Sequence, residues 1–474
     1  MSNQKVLKNT AAQFIGKVLT IFASFFVVKI VSGFGREFYG NYVTAYEFLA
    51  FFGIIADAGL FAIAVREMSK TPARTKFILG NIFSMRMILI ITVSLIAGIS
   101  AQFVNNFSPE VKLGIWLTSL SMALTIVAGT LSSVLQSRMK IHFFSGSLAF
   151  GKIILATLIF AISQVFLGQK SPEWMFYSFL IAGVISNIIF CGLVTFFTSR
   201  ETPIIPQFDT TYWKDTFKVS LPYGVALILQ TLYLRIDVVL ISMMLGAQSV
   251  GIYGITTRIM ESFLVLGVFF GQAFLPKISA EEHDEIKASK SLNWGCEKLV
   301  ILGAPIIIGT IAFAPEIINL LSSNEFLSTA TFLGSDKILQ ILVPTIAFAF
   351  LNQLFTFTLV AKNRQNFLMF VNASALTLNI VLNLIFLPKY GIIAAAFSTI
   401  FCEAIVFILL TIEILKHFRP QLCAKNLSII FFANALIFTE IYLTPLNENF
   451  ILAFAVSAIS YFSIFWIFRK RFID

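Results

Sequence analysis

The stretch GREFYGNY at Gly35–Tyr42 returns 211 residues later as GAQSVGIY at Gly246–Tyr253, a shared GxxxxGxY. Each copy fills a short break between two apolar runs and enters the second of them. Continuing the same offset sets Arg66 opposite Lys277, each at the far end of the run its motif opens. A motif that recurs at the same topological place points to duplication. Six apolar runs separate the copies, so the halves are parallel rather than inverted. Such halves are related by an axis along the membrane normal, with a cavity between them.

The apolar runs extend over the whole chain. Of 474 residues 58% are hydrophobic and 12% charged, with a mean hydropathy of +0.88. A soluble domain carries roughly twice that charged fraction. Runs of roughly 18 to 25 residues suffice to cross a hydrocarbon core as helix. Fourteen are read, at 9–31, 41–63, 77–101, 113–136, 143–167, 174–198, 219–245, 252–275, 299–321, 338–361, 367–387, 392–415, 427–444 and 450–468. The expected fold is an all-α integral membrane protein of about fourteen transmembrane helices. It divides into an N-terminal six-helix bundle over 1–200, a cytoplasmic linker over 201–218 and a C-terminal six-helix bundle over 219–416, with two further spans in 417–474. A second hydrophilic stretch, 277–298, is expected to lie along the membrane as a short cytoplasmic helix.

The net charge of +10 suggests nucleic acid only until the charges are placed. With the N-terminus inside, 23 of the 34 Lys and Arg fall in cytoplasmic segments. Five (Arg36, Lys112, Lys170, Lys337, Lys389) fall outside, and six (Lys17, Lys29, Arg86, Lys152, Arg235, Arg258) lie within spans. That alternation is the positive-inside rule, with both termini cytoplasmic, and no nucleic-acid partner is expected. Lys5 and Lys8 ahead of an apolar run look like a signal peptide, but without a small-residue cleavage site an uncleaved first helix is expected. The four cysteines and three histidines are scattered, and no metal or cofactor is expected.

Lys or Arg at mid-span costs about 2.5–3.5 kcal/mol on insertion scales, so it seldom faces lipid. Lys29 is near a span end and is expected to snorkel, and Arg258 has Glu261 three residues on. Lys17, Arg86, Lys152 and Arg235 are deeper. Lys17 shares a polar face with Gln13, Thr20 and Ser24; Gln230, Tyr233 and Asp237 share another; Asn372, Asn379 and Asn383 form a third. Arg235 and Asp237 lie about 200° apart around a helix and need separate partners. Glu47 and Asp57 add acids to the second span. Such groups either pair across helices or line a wet, net cationic cavity suited to a phosphate or diphosphate head group. The second reading is adopted for Lys17, Arg86, Lys152 and Arg235 as substrate contacts. Glu47, Asp57, Gln230, Asp237, Asn372, Asn379 and Asn383 are the candidate ion-coupling or polar cavity residues. Pro222, Pro305 and Pro344 are candidate kinks or hinges.

Further stretches carry a family resemblance: SLPYG at Ser220–Gly224, RIDVVLISMMLG at Arg235–Gly246 and VGIYGITTRIME at Val250–Glu261. LPKIS at Leu275–Ser279 and NIVLNLIFLPKYGIIAAAFSTIFCE at Asn379–Glu403 complete the set. With GREFYGNY, they make the chain resemble the polysaccharide transporter family of O-antigen and lipid-linked oligosaccharide flippases. These are relatives of the multidrug and toxin extrusion exporters in the multidrug/oligosaccharidyl-lipid/polysaccharide exporter superfamily. Ala394-Ala395-Ala396 replaces a glycine-alanine-alanine common in relatives. The resemblance implies two six-helix bundles, alternating access and a cationic cavity for an undecaprenyl-diphosphate-linked oligosaccharide. It further implies ion-gradient coupling by proton or sodium, with Asp57 and Asp237 as candidate acids. It places the chain in the bacterial cytoplasmic (inner) membrane, with membrane lipid and other polysaccharide-assembly proteins as partners.

The alternative on the same fold is a multidrug or metabolite cation antiporter, whose cavity would favour acids. A membrane glycosyltransferase or polysaccharide polymerase needs a larger outer loop, and no nucleophile, metal or phosphate motif is visible. The chain is therefore expected not to be an enzyme. A channel is disfavoured because no filter or charged ring is present.

Overall fold

The computed structural model describes residues 3–418, except 58, 166–171 and 282–283, and scattered residues between 429 and 464. No strand occurs among the described residues. The helices of the first half are α1 (Asn3–Ser32), α2 (Arg36–Asp57), α3 (Leu60–Lys70), α4 (Thr75–Gln102), α5 (Pro109–Ser137), α6 (His142–Val165) and α7 (Pro172–Ser199). Then follow α8 (Thr210–Met244), α9 (Ala247–Ala280), α10 (Glu285–Ala312) and α11 (Ala314–Leu321). The last are α12 (Ser335–Leu342), α13 (Thr345–Ala361), α14 (Gln365–Tyr390) and α15 (Ile392–His417).

Among the described residues ten helical stretches are long and apolar enough to cross a membrane, or eleven if α12 and α13 form one span bent by 45°. The described residues do not test the full expected count of fourteen. The runs 427–444 and 450–468 fall largely outside the described residues. α8 matches the seventh predicted span and, with 35 residues, extends roughly 50 Å. The 45° bend falls at Pro344, the residue before α13; Pro305 sits inside the unbroken α10. The helix expected along the membrane at 277–298 is replaced by two long ones, because α9 runs on to Ala280 and α10 starts at Glu285. The Asp284 side chain caps α10 by accepting from Lys287 N at 3.0 Å, which meets one orphan donor of the first turn.

On α4 the stripe Ile88, Ile91, Leu95 and Ile99 is exposed, while Ile82, Arg86, Ile90, Val93 and Ala97 are buried. A soluble helix would show the reverse pattern. An apolar outside with a cation inside fits lipid as the solvent, and the chain is a multi-pass membrane protein.

Two compact units divide the chain: Met1–Gly254 with Leu321–Ser323, and Ile255–Leu320 with Asn324–Asp474. In the first, α1 packs on α6, α5 on α4 and α7, and α2 on α4, α5 and α8. One core gathers Leu60, Met68, Leu79, Ile82, Leu131 and Phe190; another gathers Phe48, Leu49, Phe107, Ile115, Phe176 and Leu180. α8 opens the second bundle in the sequence reading, yet it packs in this first unit. Residue contacts to α2, described below, hold it there. In the second unit α14 and α13 pack on α15, and α10 packs on α13.

The segment read as a linker is extended to Asp209 and helical from Thr210. It is fastened to α4: Gln207 N donates to Gly80 O at 3.2 Å. Asn81 Oδ1 accepts from Asp209 N at 2.8 Å and Trp213 Nε1 at 3.0 Å. Glu201 pairs with Arg138 at 2.8 Å and Lys140 at 2.7 Å, which holds its carboxyl below the ordinary carboxylate range. A depressed acid contributes stability above its unfolded pKa, about 4.3, and loses it as pH falls through the folded value. Both cations are more than a third exposed, so Glu201→Gln is expected to cost only about 0.2–1 kcal/mol. Thermal unfolding at neutral pH should show that small loss, and the variant should converge with the parent in acid.

Candidate substrate-binding site

The α2 positions Tyr46, Ala50, Gly53 and Asp57, spaced by four, three and four, form one helical face. That face lines a cavity of about 380 Å³ inside the first unit. Across from it stand Ser121 and Thr125 of α5, Lys152 of α6 and Asn187 of α7. Thr125 Oγ1 donates to Asn187 Oδ1 at 3.4 Å. Sequence reasoning found Asp57 and Lys152 and missed Asn187, although a lone asparagine in the sixth apolar run was the available signal.

Asp57 on the rim is ion-paired to Arg86 of α4. Arg86 is 4% exposed, and its Nη1 donates to Thr130 Oγ1 of α5 at 2.9 Å. Its Nε has no hydrogen-bond partner among the described residues. A buried charge is tolerated when paired, whereas one partner alone is costly. Thr130 had no sequence signal, since hydroxyls are common in spans and only packing brings this one to Arg86.

A second pair joins α2 to α8, Glu47 with Arg235. Glu47 and Asp57 lie roughly 80° apart around α2, so one carboxylate faces α8 and the other α4. Asp237, on the other side of α8 from Arg235, accepts from Tyr253 Oη at 3.2 Å. Tyr253 is the tyrosine of the second GxxxxGxY motif. Gln230 is half-buried one turn away from Tyr233 on that face. Two of the four expected cavity cations are thus neutralised by carboxylates. Lys17 is exposed on α1 and forms no ion pair among the described residues. Lys29 is not merely snorkelling, because its Nζ donates to Ser322 O at 2.6 Å, and Arg258 meets Glu261 at 2.9 Å as expected.

The two motif copies touch each other. Gly35 and Gly246 both have positive φ, +104° and +81°, which glycine adopts without the Cβ penalty; each precedes a helix start. A Cβ on Gly40 would strike Ala247 O, and one on Gly251 would strike Arg36 O. These contacts exchange under the 211-residue offset, as a local twofold between the motifs requires.

In the second unit Asn383 Nδ2 donates to Asn379 O at 3.0 Å and Oδ1 at 2.9 Å. Both asparagines are buried and Asn372 is half-buried on the same stripe. Asn352 Nδ2 donates to Glu403 Oε2 at 2.6 Å between α13 and α15, a buried acid contact that sequence reasoning left unused. Among the described residues no three His, Cys, Asp or Glu side chains converge as a metal site would need.

Lipid-facing helices enclosing paired charges and a cavity of mixed polar and apolar lining define a multi-pass membrane protein. A family profile described as "Polysaccharide biosynthesis protein" matches residues 35–331. The chain belongs to that family. It is 21% identical over 415 residues to the "Putative O-antigen transporter" of Shigella flexneri, covering 83% of this chain and 94% of that one. It is 23% identical over 436 residues to an uncharacterized membrane protein of Methanocaldococcus jannaschii, covering 88% and 78%. The fold is similar to that of the lipid II flippase MurJ in an inward closed conformation, with a TM-score of 0.78 at 17% identity over 99% of this chain and all of that one. An inward-facing multidrug exporter of the MATE family aligns with a TM-score of 0.63 at 12% identity, covering 84% and 95%.

Proposed function

We propose that this protein flips an undecaprenyl-diphosphate-linked oligosaccharide from the cytoplasmic to the periplasmic leaflet of a bacterial inner membrane by alternating access. The observation that carries this reading is the cavity beside the Arg86–Asp57 pair, which Lys152 lines together with Ser121, Thr125 and Asn187. An ammonium there complements an anionic head group, and the hydroxyls and amide accept and donate to sugar. Family membership supports a polysaccharide-linked substrate, and the charge alternation supports cytoplasmic termini. The two bundles, 1–200 and 219–416, are the moving bodies in this reading. Asp57 and Asp237 are the candidate sites through which a proton or sodium gradient biases the exchange, and Glu47 serves with them. The chain has no catalytic role in this reading; assembly enzymes supply the lipid-linked unit and consume it outside.

The test is lipid-linked sugar accessibility in a strain lacking the protein, where the unit should accumulate in the cytoplasmic leaflet. Lys152→Gln is expected to cut flipping by roughly tenfold, the scale of one charge-assisted contact of about 1.5 kcal/mol, with protein level unchanged. Normal surface glycan in the deletion strain would overturn the reading. Proton- or sodium-driven efflux of organic cations by the purified protein would favour the antiporter instead.

A further inference from the structure

A second cavity, of about 370 Å³, opens between the end of α3, the turn after it and the first turns of α8. It lies within the first unit, on the side that the proposed orientation makes cytoplasmic. The volume is at the lower end of the roughly 300–1,000 Å³ common for ligand pockets. Lys70, Arg74 and Asp215 line it with Glu67, Tyr212 and Val219. Nothing in the transport reading uses it.

Its charges are of two kinds. The Glu67 carboxylate is already engaged, accepting from Tyr212 Oη at 2.6 Å. Burial and that carboxylate push the Tyr212 phenol up, so it remains a donor at neutral pH. Lys70, Arg74 and Asp215 are exposed and form no ion pair among the described residues. The Arg74 guanidinium sits over the Phe77 ring, 4.9 Å from its centroid, which orients it while leaving its N–H edges available. Thr75, next to Arg74, begins the 28-residue α4, whose partly positive N-terminus also favours an anion. The pocket thus offers two cations and one acid outside any ion pair among the described residues.

Its rim is apolar. Val219 lines the cavity and is half exposed, and Phe217 and Leu221 on the same helix are exposed too. A ligand with a charged head and an acyl body matches a polar pocket opening onto such a surface. A purely anionic head group would leave Asp215 facing like charge. A zwitterion of phosphate and ammonium satisfies both signs.

We infer that this cavity binds the head group of a zwitterionic aminophospholipid, its phosphate on Lys70 and Arg74 and its ammonium on Asp215. The inference borrows only the orientation from the proposed function. Its readout is binding, so loss of flipping leaves it standing and loss of binding leaves the flippase standing.

The test is native mass spectrometry of the full chain released from vesicles holding equal parts phosphatidylethanolamine, phosphatidylglycerol and phosphatidylcholine. Wild-type protein should retain phosphatidylethanolamine at least fivefold over phosphatidylcholine. Asp215→Asn should erase the preference for phosphatidylethanolamine over phosphatidylglycerol. Lys70→Gln with Arg74→Gln should lower retention of both by about tenfold or more, the scale of two interfacial cations. All three positions are exposed, and unchanged thermal unfolding checks each variant; Lys70→Ala with Arg74→Ala replaces a glutamine pair that unfolds. An unchanged lipid profile in either variant overturns the inference. Displacement of the retained lipid by soluble phosphoethanolamine at equal concentration overturns the lipid assignment, since the pocket would then read the head group alone.

Discussion

Arg86→Ala with Asp57 left in place is expected to destabilise the protein by about 1–3 kcal/mol, less than for a fully buried pair because the Asp57 left behind is about a third exposed. Asp57 would stay at the cavity rim with its guanidinium partner gone, and Thr130 Oγ1 would lose its donor. The double variant Arg86→Met, Asp57→Leu should recover most of that loss, because paired apolar replacement of a buried ion pair is often neutral or better. Thermal unfolding in detergent for the two singles and the double gives the coupling between the residues. Flipping separates a structural pair from a pathway pair. If the pair belongs to the substrate path, the double variant regains stability without regaining transport. A double variant with both restored would make the pair purely structural. Additive single effects would show that the two side chains do not interact.

Gly40→Val is expected to have the second large effect. The new Cβ would meet the carbonyl of Ala247, a backbone atom that cannot rotate away. Overpacking of this kind costs about 1–3 kcal/mol and more when backbone must move. Gly251→Val meets Arg36 O and should have a similar cost, because the two contacts correspond under the repeat. Both contacts fasten the first turns of α9 to α2, whose Glu47 also holds Arg235 of α8. The glycine variants should therefore loosen α9 from α2 while the Glu47–Arg235 pair still holds α8. The measurement is thermal unfolding and membrane accumulation of Gly40→Val, Gly251→Val and the pair. Either single variant behaving as wild type would show that the motifs do not approach this closely.

Much of the membrane architecture was legible in the chain. The apolar runs up to 415 all fold as helix, three of them (41–63, 299–321 and 338–361) shared between two successive helices, because a spanning segment must satisfy its own backbone inside lipid and its length follows from bilayer thickness. The repeat was also legible, since positive-φ turns at Gly35 and Gly246 and close approach at Gly40 and Gly251 admit little but glycine. The extent of α9 and α10 through the charged stretch at 277–298 was not, because polar composition alone does not end a helix.

Periodicity placed Gln230, Tyr233 and Asp237 on one face and separated Arg235 from Asp237, and helix geometry alone forces that. Which acid each cation meets depends on neighbouring helices far away in sequence. Arg86 finds Asp57 at a separation of 29 residues and Arg235 finds Glu47 at 188, so a cavity expected to be net cationic has two of its four cations neutralised. The sequence by itself thus determined the spans, the duplicated motif and the presence of charge within the membrane. Tertiary structure alone decided how those charges combine, because pairing in a low-dielectric interior depends on distances of a few ångströms between helices that periodicity within one helix does not encode.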